Sequence, residues 1–184
     1  MLKVVIPKVE VYDELTGEFR TICEETTLYL EHSLLSVVKW ESKWNKPFLS
    51  GVQSLEESID YIKCMTVRPN SDTIPDSVYN NITQGIMDQI NSYIDKPMTA
   101  TWFSNTDTNE KSTSSVVTNE IIYYWMITYG IPFECEKWHL NRLMTLIRVC
   151  IEKNRPEKKI SRNEILDRNR RLNAERRAKM KTNG

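Results

Sequence analysis

Apolar and polar positions alternate along the first thirty residues, which is the period of a half-buried strand. Val4 and Ile6, then Val9 and Val11, alternate with polar neighbours on either side of Pro7, predicting an edge strand or a bulge there. Glu14-Leu15-Thr16-Gly17 supplies a turn, and Glu18 to Ile22 and Thr26 to Leu30 supply two more short strands. These segments predict a small antiparallel meander over residues 2–31. From Ser33 to Trp44 the pattern is ambiguous. Leu34, Leu35, Val37, Val38 and Trp40 fit a helix face as well as a continued sheet.

Beyond Ser54 the period becomes helical. Ser54 with Glu57 forms a capping box, and Ile59, Ile62 and Met65 follow at spacing three until Arg68-Pro69. A second helix opens near Thr73–Asp76 and carries Val78, Ile82, Ile86, Ile90 and Ile94 as one stripe, closed by Lys96-Pro97. Residues 104–115 are wholly polar and predict a flexible loop or hinge. Thr118 or Asn119 caps a helix holding Ile121, Ile122, Trp125 and Met126, ended by Gly130 and Pro132. Residues 134–153 are apolar round most of a helical circumference and predict the central core helix. Ser161 with Glu164 forms another capping box, opening a charged helix that runs to about Lys179 and has no continuous apolar stripe.

The fold class that follows is α+β: a small N-terminal antiparallel β-meander packed on a mainly helical body, with an extended basic C-terminal helix. Residues 1–50 hold the meander and an aromatic segment, 51–155 the helical body, and 156–184 the basic tail. At 184 residues and 40% hydrophobic content the chain suits one core of ordinary size.

Charge sharpens this division. Residues 152–184 carry 12 Lys or Arg against 5 Asp or Glu, and residues 1–151 carry 13 against 20. An acidic body with a basic tail predicts a folded unit joined to an exposed interaction segment. In the tail, Arg168, Arg170, Arg171, Arg176 and Arg177 are candidate partner-binding residues. Protein partners are favoured over nucleic acid, because no aromatics interleave with these arginines. Trp40, Trp44 and Phe48, with Lys39, Lys43 and Lys46 between them, are read mainly as core with snorkelling lysines, and secondarily as a partner-binding surface.

Catalytic and metal chemistry find little support. Cys135 and His139 sit four apart but lack a third and fourth ligand, so a packing cysteine and a capping histidine are the simpler reading. Glu56, Glu57 and Asp60 open a helix, where negative charge offsets the helix dipole. No catalytic residue, cofactor or metal is assigned, and the chain is read as non-enzymatic. Charges at Lys3, Lys8 and Glu10 interrupt any signal-like run, and no stretch nears the roughly 18 apolar residues of a membrane span. An intracellular location with reduced Cys23, Cys64, Cys135 and Cys150 is expected.

A set of segments in fixed order adds what composition does not. They are Leu30-Glu31-His32-Ser33-Leu34, Lys39-Trp40-Glu41-Ser42-Lys43-Trp44, Lys46-Pro47-Phe48-Leu49 and Asp60-Tyr61-Ile62-Lys63-Cys64-Met65-Thr66. Met98-Thr99-Ala100-Thr101-Trp102-Phe103, Glu120-Ile121-Ile122-Tyr123-Tyr124-Trp125-Met126 and Pro132-Phe133-Glu134-Cys135 follow. Trp138-His139-Leu140-Asn141-Arg142-Leu143 and Leu172-Asn173-Ala174-Glu175-Arg176-Arg177 complete the set. Together they resemble a family of small morphogenesis proteins encoded among the structural genes of bacteriophages with long non-contractile tails. The resemblance implies a tail assembly chaperone that keeps the tape-measure protein soluble in the host cytoplasm, or a permanent tail or neck subunit of the virion. It implies other tail proteins as partners, with a homo-oligomer open and no membrane association. A nucleic-acid-binding regulator acting through the tail is the third alternative.

Overall fold

The computed structural model describes residues 1–50, 54–69, 71–103, 116–155 and 162–180. The expected polar segment 104–115 and the Ser161 cap lie outside them. The chain divides into two compact units, Met1–Ile151 and Glu152–Gly184.

The first unit is α+β. Strand β1 (Leu2–Ile6) pairs antiparallel with β4 (Thr26–Leu30), from Leu2 opposite Leu30 to Ile6 opposite Thr26. Strands β2 (Val9–Asp13) and β3 (Glu18–Cys23) form a separate two-stranded sheet between them in sequence. The four strands thus fall where the alternation puts them, while β1 skips its neighbour to pair with β4. A fifth strand, β5 (Thr66–Arg68), extends the first sheet beyond β4 and carries no alternating signal of its own. One face of this sheet, Val4, Ile6, Leu28 and Leu30, is fully buried against the helices. Burying each such side chain contributes roughly 1.5–3 kcal/mol.

The ambiguous segment becomes helix α1 (Leu34–Trp44), because Ser33 accepts from the Ser36 backbone as N-cap. It ends at Asn45, whose left-handed φ of 52° stops the spiral. Helix α1 packs against α2 (Leu55–Met65) and α5 (Asn119–Thr128), so it holds the centre of the unit. The capping box at Ser54 and Glu57 is present in both directions.

Two helix predictions need correction. The stripe from Val78 to Ile94 is split between α3 (Asp76–Asn80) and α4 (Gln84–Ile94), with a break at Asn81–Thr83. A spacing of four overshoots the 3.6-residue turn by about 40° each step, so one straight helix would spiral the stripe off the core. The break resets the phase, and Val78 and Ile90 are both buried. The predicted central helix starts later than expected, as α6 (Leu140–Asn154), after a short 3-10 turn at Phe133–Lys137. Ser33 and His139 form an isolated bridge, and Leu140 N–H donates to the His32 carbonyl at 2.7 Å, which fixes where the helix can begin. Only Leu140, Leu143 and Ile147 of α6 are buried, so it packs by one face.

The second unit contains α7 (Arg162–Met180), a helix of 19 residues. At 1.5 Å per residue it is about 28 Å long. Every one of its residues from Leu166 to Met180 is exposed.

Candidate partner-binding surfaces

The aromatic segment after α1 assembles into a cluster whose members differ in access. Trp40 is 2% exposed, its indole nitrogen donates to the Glu57 carbonyl at 2.9 Å, and it meets Phe48 edge-on with ring centroids 5.3 Å apart. It therefore offers nothing to a partner, and its assignment as a partner-binding residue is corrected to a core one. Trp44 is half-buried. Its indole donates to Asp60 at 3.1 Å, and Lys43 and Lys46 lie over its ring at 5.9 and 5.7 Å from the centroid. Phe48 is also half-buried and sits 4.1 Å from the Tyr61 ring. The two lysines are engaged in turn: Lys43 pairs with Asp60 and Lys46 with Glu57. A base stacking on this cluster would have to displace those ion pairs.

Glu57 links the capping box to this cluster. It accepts from the Ser54 backbone at 2.8 Å while pairing with Lys46, which holds its carboxyl below the usual range. Its cluster with Asp60 is thus occupied by structural contacts.

Arg168, Arg170, Arg171, Arg176 and Arg177 all lie exposed on α7. With about 100° between successive residues, they point to all sides of the helix and form no single stripe. Arg170 approaches Asp167 at 3.5 Å, an exposed pair that contributes little. The structure brings the aromatic residues together with each other, and the arginines together on one helix.

His32 and His139 form a buried polar junction. His32 Nδ1 lies 2.5 Å from the Tyr61 hydroxyl, and the His32 and His139 rings meet edge-on at 5.0 Å. Asn141 N–H donates to His139 Nδ1 at 3.3 Å, which assigns the proton to Nε2, directed at the Tyr93 carbonyl at 3.1 Å. Tyr93 in turn donates to Glu31 at 2.7 Å, whose other oxygen holds the Met1 amino group at 2.8 Å. Burial, aided by the neighbouring His139, pushes the His32 pKa down to about 3; burial also lowers that of His139. Burial drives Tyr61 well above the ordinary tyrosine range. The junction ties the end of β4, the end of α4 and the start of α6. Cys135 is buried nearby in sequence but joins no metal-binding group, and none exists among the described residues.

Large apolar side chains are exposed at several places in the first unit, among them Leu55 and Trp102. On the β2–β3 arm, Leu15 is 98% and Phe19 70% exposed, with Val11, Tyr12 and Ile22 also open to solvent. A second exposed group, Tyr124, Ile127 and Phe133, lies on and just after α5. Nearby, Tyr123 donates to Glu136 at 2.8 Å, and burial together with that bond pushes its pKa up to about 12. Phe19, between Glu18 and Arg20, alternates with charge in the sequence, whereas Tyr12 follows Val11 and carries no such signal. What the alternation did not say is that neither face of the outer arm is covered.

No helix among the described residues is long and apolar enough to cross a membrane. Comparison with protein-family models, with curated proteins and with solved structures finds no match.

Proposed function

We infer that this protein is a morphogenesis factor of a long-tailed bacteriophage and acts without catalysis, as an assembly chaperone for the tape-measure protein. The observation that carries a role by contact is the exposed apolar surface of the folded unit, on the arm at Tyr12, Leu15 and Phe19 and at Tyr124, Ile127 and Phe133. Tyr12 and Phe19 touch across the arm, and exposed apolar patches mark surfaces that bind other chains. The whole-chain resemblance supplies the biological setting. A chaperone must hold an apolar client reversibly, and several weak patches combined with a separate charged helix suit multivalent, releasable binding.

The experiment is co-expression of the tape-measure protein with and without this chain, followed by mass spectrometry of purified virions. The expected result is a soluble tape-measure protein only in the presence of the chain, and no chain in mature particles. The chain recovered at fixed stoichiometry from virions would replace this reading with that of a permanent tail or neck subunit.

A further inference from the structure

We propose that the β2–β3 arm is a docking edge for a cationic, amphipathic segment of a partner polypeptide. This deepens the chaperone reading and depends on it only for the identity of that polypeptide. The arm begins where Val9 pairs with Cys23, and Cys23 is buried, so its base is fixed in the core. Outward from there the two strands are alone in their sheet among the described residues, and each leaves one backbone edge unpaired. A two-stranded sheet with no cover is only marginally stable in water. Here the cross-strand pair Tyr12 and Phe19, with ring centroids 5.3 Å apart, is exposed on one face, and Leu15 stands at the tip.

The tip is nevertheless well formed. Gly17 adopts a φ of +70° and donates to the Asp13 carbonyl at 2.8 Å, and Leu15 N–H donates to the Asp13 carboxylate at 3.0 Å. An ordered turn that presents a leucine to solvent is a shape held ready for a contact. Charge identifies the occupant. Between Lys8 and Glu25 the chain carries Glu10, Asp13, Glu14, Glu18, Glu24 and Glu25 against Lys8, which pairs with Glu10 at 2.5 Å, and Arg20. Edge-to-edge pairing with the same arm of a second copy would set these carboxylates against one another, and like charges across strands are unfavourable. A segment that alternates apolar and basic residues would satisfy the open edge, cover Tyr12 and Phe19, and neutralise the rim.

The probe is a short peptide alternating leucine and lysine, added to the full-length protein while amide exchange is followed residue by residue. Slower exchange confined to residues 9–23 is expected, with no effect from a leucine–glutamate peptide. Leu15→Ser with Phe19→Ser should weaken binding by tenfold or more, on the order of what loss of an aromatic anchor costs. Glu14→Gln with Glu18→Gln should weaken it about tenfold at low salt, with the difference vanishing at high salt. All four side chains are exposed, and the second variant, which alters no apolar group and leaves the Tyr12–Phe19 pair intact, should melt with the wild-type protein. Unchanged affinity in both variants, protection outside residues 9–23, or equal binding of the acidic peptide would overturn the proposal. Arm variants that solubilise the tape-measure protein as well as wild type would sink the arm and leave the chaperone reading standing. Arm-dependent peptide binding without any client solubilisation would do the reverse.

Discussion

Glu41 and Asn119 lie 78 positions apart in sequence, and one carboxylate oxygen of Glu41 accepts both the backbone N–H of Asn119 at 2.9 Å and its side-chain amide at 2.6 Å. The other oxygen accepts the Phe48 N–H at 2.7 Å. Thr118 makes no side-chain cap bond at the start of α5, so a glutamate from α1 performs that work across the core. Helix start, loop and central helix are fastened at one buried carboxylate.

Glu41→Ala should therefore cost about 3 kcal/mol, because it strands several buried donors whose desolvation is then uncompensated. Glu41→Gln should cost less but remain destabilising, since its NH₂ cannot accept from Asn119. Urea unfolding of the two variants checks the order. A midpoint unchanged in Glu41→Ala would show that water replaces the carboxylate.

Acid should loosen the fold through His32. In the folded state its pKa is about 3, whereas the unfolded chain takes up a proton near the ordinary value of 6.5. The unfolded state thus binds more protons below pH 6.5. Stability is complete above that value and falls as pH drops from 6.5 toward 3. At pH 5 the loss from this one group is about 2 kcal/mol, and the lowered pKa of His139 adds in the same direction. The groups facing His32 are His139 and the Tyr61 hydroxyl. His32→Asn, whose amide can still hydrogen-bond the Tyr61 hydroxyl, should flatten the slope of unfolding midpoints between pH 7 and pH 5. A wild-type midpoint identical at both values would contradict the argument.

Leu143 is fully buried on the inner face of α6, so Leu143→Ala should cost about 2–5 kcal/mol. Leu146, half-buried on the same helix, should cost distinctly less. Equal losses at the two positions in denaturant melts would mean that α6 is covered on both sides.

Deleting residues 157–184 should leave the melting temperature of the folded unit within about 1 °C of the full chain, since a 1 kcal/mol change would move it by several degrees. Under the proposed chaperone role, tail assembly in infected cells should be lost. A large drop in melting temperature would make the basic helix a part of the core and remove the case for its arginines as partner-binding residues.

The local signals were legible in the sequence where a residue's partner is near in the chain. Ser54 and Glu57 announce α2 because both halves of the cap lie within one turn, and Gly130, at φ +63°, closes off the segment after α5 as its position suggests. Legibility failed where the partner is distant. β5 is a strand only because Thr66 and Arg68 meet Leu30 and Tyr29, and α6 starts late only because Ser33 and His32 hold the residues before it. Among candidate site residues, periodicity placed Trp40 on an apolar face correctly but could not rank it against Trp44, whose polar cover comes from α2.

The pairing of β1 with β4 makes the arm between them a detachable part. Ile6 and Thr26 close the ladder beneath it, and Val9 with Cys23 are the last arm residues tied to the body. Residues 10–22 can then be lengthened, shortened or rewritten at small cost to the rest, because loop closure depends only weakly on length. Proteins built on this core could exchange the cassette alone, and a lineage could change what it recognises while inheriting its core intact.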